Sequence, residues 1–130
     1  MPLPPIDFAD YHRTVIGYHG TSRTAASRLV SGEAFKASDR DNEWFGGGIY
    51  FWEHAFQQAW WWARRKHAQE PAVVGAVLRL GNCFDLLDPR NVEILRQCHD
   101  ELIAELEAVG AQVPVNVRSY RALDCAVFNY

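Results

Sequence analysis

The chain has 130 residues, 48% of them apolar, with 13 basic against 16 acidic side chains and a formal net charge of −3. Such a length suits a single domain, 1–130, with a core of its own, and excludes disorder throughout. The slightly acidic balance excludes a simple electrostatic nucleic-acid binder, and no apolar run approaches the roughly 18–20 residues that span a bilayer, so the chain reads as soluble, unexported and cytoplasmic.

In chain order, residues 1–12 form an irregular lead-in that carries Pro2, Pro4 and Pro5. TVIGY, from Thr14 to Tyr18, is β-branched and aromatic and predicts a short strand. His19-Gly20-Thr21-Ser22 follows, with Thr21 or Ser22 placed to cap a helix over Ala25, Ala26, Leu29 and Val30 that Gly32 ends. A polar stretch closes on Gly46-Gly47-Gly48, a mobile loop, and Ile49 to Trp52 predicts a second short strand. From Glu53 to Lys66 neither Gly nor Pro intervenes, and Arg64, Arg65 and Lys66 suit the last turn of a helix that Glu53 caps or opens.

Beyond Pro71, Val73 to Leu80 predicts a strand, Gly81-Asn82 a turn and Cys83 to Leu87 an extended piece. Asp88-Pro89 is a helix start with an acidic cap and proline at N1. Val92, Ile94, Leu95, Cys98, Leu102, Ile103, Leu106 and Val109 mark one apolar face, and Gly110 closes it. Residues 111–119 form a loop or edge strand, and the chain stops on the apolar run CAVFNY. Either that run is a docked final element, or the natural chain continues past Tyr130.

Cys83, Cys98 and Cys125 lack CxxC spacing, and His12, His54, His67 and His99 share no ligand spacing with them, so no metal site is expected. The densest chemistry lies between Tyr18 and Ala63. An imidazole, a permissive backbone and a hydroxyl sit together after a strand, and a glycine loop leads to Tyr50. With one of Trp60, Trp61 and Trp62 they form an aromatic slot with backbone hydrogen bonds on one wall, which suits a flat, amide-bearing ring. The three tryptophans point about 100° apart, so only one is expected in the site, and Trp44 and Trp52 are read as packing residues.

YHGT, a short helix, GGGIYF and an aromatic helix resemble, in that order, the NAD-binding half of ADP-ribosyltransferases of the poly(ADP-ribose) polymerase and diphtheria-toxin type. VVGAVLRLGNCFDLL resembles that family's next strand and turn. The resemblance implies an α+β fold with a split, mostly antiparallel sheet, and NAD as the substrate whose nicotinamide–ribose bond is cleaved. By the same resemblance His19 bonds the ribose, and the backbone of Gly20 pairs with the carboxamide beside the Thr21 hydroxyl. Tyr50, with His19 a member of the His-Tyr-Glu triad, packs on the nicotinamide. Trp61 takes the second stacking position, and Gln58 stands where the family often has a carboxamide-binding serine.

The triad's glutamate has no clear match. Glu93, Glu101, Glu105 and Glu107 fall on the long helix, and Asp124 fits the pattern poorly. The acid, and the family's later strands, then belong past Tyr130 or are lost. The acceptor is open: protein, nucleic acid or small molecule. Small members of such folds are often bacterial toxins or phage-defence effectors, for which exposed aromatics offer a face to a partner protein or antitoxin. The alternatives are an inactive NAD- or ADP-ribose-binding module, a partner-binding module, and an RNA 2′-phosphotransferase, which shares the fold.

Overall fold

In the computed structural model, the residues described are 9–10, 13–37, 45–117 and 120–130. Elements run in the order β1 (Ala9–Asp10), β2 (Thr14–Ser22), α1 (Arg23–Val30), β3 (Trp52–Glu53), α2 (Phe56–Lys66), β4 (Pro71–Arg79), β5 (Asn82–Cys83), α3 (Pro89–Ala108), β6 (Asn116–Val117), β7 (Tyr120–Arg121) and α4 (Ala122–Asn129). Among the described residues, four helices and an antiparallel three-stranded sheet, with further short strands, make the fold α+β. The chain divides into two compact units, one from Asp10–Lys36 and Ile49–Asn82, the other from Met1–Ala9, Ala37–Gly48 and Cys83–Tyr130. The expected lead-in, apart from Ala9 and Asp10, and Trp44 lie outside the described residues.

The unit holding His19 is built on β2, flanked by β3 and β4. β2 and β4 pair along their full lengths, from Thr14 opposite Arg79 to Ser22 opposite Pro71, whereas β3 meets β2 only at Gly17–Glu53 and Tyr18–Trp52. β2 is longer than TVIGY: His-Gly-Thr-Ser continues the strand, and Ser22 caps α1 by accepting from the Ala25 N–H at 3.1 Å.

Alternation along β2 sorts its side chains between two faces. On one lies α2: Tyr18 meets Phe56 edge-on with ring centroids 5.6 Å apart, and a Cβ on Gly20 would come closer than 3.0 Å to the Ala59 carbonyl oxygen. Gly20 thus serves close strand–helix packing, with Ala59 and Ala63 fully buried. On the other face Val15, Gly17, His19 and Thr21 alternate, and Gly17 leaves room for Leu78 and Phe51.

In the second unit α3 starts as its sequence demands, with Asp88 accepting from the Arg90 N–H and proline in the first turn. It ends at Val109, with Gly110 at φ +69°. Its apolar face is half-buried except at Val92 and Val109, which are exposed. α4 is held at its start by Asn116, whose side-chain oxygen accepts from the Leu123 and Asp124 N–H groups. The glycine loop belongs to this unit: the Gly47 N–H donates to Asn129 Oδ1 at 2.8 Å, and Phe45 lies edge-on to Phe128.

Candidate functional site

The imidazole of His19 is fixed by one polar bond and two rings. Nδ1 lies 2.8 Å from the main-chain oxygen of Tyr50. A carbonyl only accepts, so Nδ1 carries the proton, and in the neutral ring Nε2 keeps its lone pair for a ligand hydroxyl. Phe35 meets the ring edge-on at 5.2 Å and Phe51 lies tilted at 5.6 Å, with the two phenyls themselves 5.2 Å apart.

This bond also explains why β3 is shorter than its sequence predicts. Continued register would set Tyr50 opposite Gly20, but the Tyr50 carbonyl turns to the histidine side chain, and the strand is confined to Trp52–Glu53. Ile49 to Phe51 are therefore irregular, a correction to the expected strand over 49–52. The consequence for β2 follows from parity. The Ile16 carbonyl accepts from His54 on the β3 side, and the Arg13 carbonyl accepts from Leu80 on the β4 side. Peptide groups alternate along an antiparallel strand, so those of Gly20 point to the β3 side, past the end of β3. Among the described residues none pairs with Gly20 there. Gly20 itself is buried, and its N–H and C=O are a donor and an acceptor of the kind a carboxamide pairs with.

A cavity of about 170 Å³ opens on the His19 face of the sheet, lined by His19, Thr21, Arg28, Glu33, Phe35 and Lys36 among others. Thr21 is buried, 7% exposed, and capping is left to Ser22. The cavity is smaller than the roughly 300–1,000 Å³ of pockets that enclose drug-sized ligands, so it has room for no more than a fragment the size of one sugar with its phosphate. Two cations, a carboxylate, a hydroxyl and a ring nitrogen suit such a fragment. Sequence reading missed Glu33, Phe35 and Lys36. Gly32, at φ +107°, turns the chain back as α1 ends, and an aromatic residue three positions after that turn was the available signal.

Two of the expected ligand contacts stand elsewhere. α2 packs on the opposite face of β2 from His19, and along it Ala59 and Ala63 face the sheet. At 100° per residue Trp61 and Gln58 then point outward, and Trp61 is 59% exposed. Trp62 instead lies 5.6 Å from Trp52, with the Lys66 ammonium 4.9 Å from its centroid. The structure thus brings His19, Gly20, Thr21 and Tyr50 together and leaves out Gln58 and Trp61. The glycine triplet lies in the other unit, held by α4.

Among the described residues the acids are mostly occupied. Asp124 accepts from Asn116 and pairs with Arg121 at 2.8 Å. Glu53 pairs with Arg13 at 3.3 Å, and α2 has no side-chain cap, which corrects the expectation that Glu53 caps it. Glu93 pairs with Arg96, whose hydrogen bonds and charge hold its carboxyl below the ordinary range, and Glu105 accepts from the Tyr130 hydroxyl. Among the described residues Glu33 is the carboxylate that lines the His19 cavity. Among the described residues no cluster of His, Cys, Asp and Glu could hold a metal ion, and no helix is long and apolar enough to cross a membrane.

No family model matches the chain, and no solved structure matches it. An uncharacterized protein of Methanocaldococcus jannaschii is 42% identical over 53 residues, which are 38% of this chain and 24% of the relative. The chain therefore spans about a quarter of that relative's length.

Proposed function

We propose that this chain is an NAD-dependent ADP-ribosyltransferase, with nicotinamide lodged against β2 where β3 ends and Tyr50 beside it. The observation that carries the reading is the early end of β3: the Tyr50 carbonyl is bonded to His19, and among the described residues none pairs with the buried Gly20 on that side. The carboxamide takes the Gly20 N–H and C=O, the Tyr50 ring covers the nicotinamide, and His19 Nε2 accepts from a ribose hydroxyl. Cleavage sends the electron pair of the nicotinamide–ribose bond to the departing ring, and the acceptor's nucleophile, losing its proton, bonds the same carbon. The sugar passes through oxocarbenium character, which a carboxylate stabilises, and one such electrostatic partner is worth about 10²–10³ in rate.

A second reading, a module that binds NAD without cleaving it, draws support from the acids. Asp124 and Glu53 are engaged elsewhere, and Glu33 is the carboxylate left on the cavity. Nicotinamide release separates the two readings, measured beside NAD binding by tryptophan quenching in the parent chain and in Tyr50→Ala. Release that is lost in the variant supports transfer, and binding without release supports the module. An intact fold that does neither sinks both.

A further inference from the structure

We infer that the outward face of α2 is a binding platform for single-stranded nucleic acid, centred on Trp61 and flanked by Arg64 and Arg65. Trp61 presents its indole to solvent at 59% exposure, although burial of an aromatic ring of this size is strongly favoured. Arg64 and Arg65 stand three and four residues on, within one turn of it on the same side, and Gln57 and Gln58 stand four and three residues before it. α2 contains no Asp or Glu, and among the described residues neither arginine has an ion-pair partner. Lys66, by contrast, is spent on Trp62.

Charge is segregated between elements of this chain. α3 carries five acids against two arginines, whereas α2 is purely basic in a chain of net charge −3. Screening over about 10 Å at 0.1 M salt lets such a patch act independently of the total. A flat indole between cations and carboxamides matches a base with its phosphates: the ring stacks, the arginines take backbone phosphates, and the amides reach base edges. An acidic peptide would use the arginines and leave the indole without a stacking partner. This inference does not depend on NAD being the substrate of the site around His19.

The test uses the full chain and a fluorescein-labelled oligothymidylate or oligouridylate, followed by anisotropy across a salt series. Saturable binding is expected at low salt. Trp61→Ala should weaken it about tenfold or more, and Trp61→Phe should restore part of the loss. Arg64→Gln with Arg65→Gln should shallow the log–log salt slope by about 0.7 for each phosphate that the arginines neutralise. An abasic oligomer of equal length should be indifferent to Trp61→Ala. These side chains are exposed, so the variants keep the parent's circular dichroism. The inference is overturned if no saturable binding occurs, if Trp61→Ala leaves the affinity unchanged, or if a polyglutamate peptide binds as tightly as the oligomer.

Discussion

At Gly20 the absence of one methyl group sets the distance between a strand and a helix. Any Cβ there meets the backbone of α2 at Ala59 and Ala63, which cannot swing aside as a flexible side chain would. Gly20→Ala is therefore expected to destabilise the chain by about 1–3 kcal/mol through overpacking, read as a lower urea midpoint. Gly75 marks the contrast. A Cβ there sits at ordinary van der Waals distance from the Tyr18 ring, so Gly75→Ala should move the midpoint far less. Tyr130 offers a test by titration. Its hydroxyl donates to Glu105 at 2.6 Å, and that bond, with burial and the carboxylates around it, raises its pKa to about 12. The protonated phenol is the form the fold favours, so its contribution is complete below the ordinary value near 10 and is lost as pH rises through about 12. Tyrosinate absorbance should show one late-titrating tyrosine, and Tyr130→Phe should remove that step.

At the scale of elements, the parts governed by local chemistry were legible and those governed by tertiary contacts were not. Ser22, Gly32, Asp88-Pro89 and Gly110 each act within a turn of their own position, and the boundaries of α1 and α3 follow from them. Ser22→Ala should cost about 1 kcal/mol and speed amide exchange in the first turn of α1. Asn116 holds α4 in a way no pattern announces, because its side chain serves two N–H groups seven and eight residues on. Asn116→Ala strands those donors and is expected to cost about 1–3 kcal/mol, with exchange rising at Leu123 and Asp124. The candidate site divides in the same way. His19, Gly20 and Tyr50 were legible as a motif, but the early end of β3 was not, since it depends on a carbonyl captured by a side chain 31 residues away. The outward pointing of Trp61 was hidden too, because a helix with aromatic residues all round has no phase until the sheet chooses its inner face. Glu53 looked like a cap while Arg13 lay far off in sequence.

For the whole molecule the question is whether two compact units behave as one. Their boundaries make the backbone pass between them four times, at 9–10, 36–37, 48–49 and 82–83. Neither unit is continuous in sequence, so closing either one carries the entropy of the loops that leave it. We therefore expect a single unfolding transition, and in a Trp44→Phe background, which removes the one tryptophan assigned to the cysteine-bearing unit, the chain carries separate reporters for the two halves. All three cysteines belong to the unit that includes Cys83–Tyr130, and Trp52, Trp60, Trp61 and Trp62 belong to the other. Cys125 is 1% exposed and should resist alkylation until α4 leaves its place. Cys98 should react slowly at neutral pH, because burial and the nearby Glu101 carboxylate push its thiol up. Along a urea gradient, tryptophan emission and Cys125 alkylation should share one midpoint, and Gly20→Ala should shift both together although it touches only the first unit. Two separated midpoints would show instead that the unit bearing His19 folds without its neighbour. The shared midpoint is expected because four covalent crossings leave no loop-free way to open one half alone.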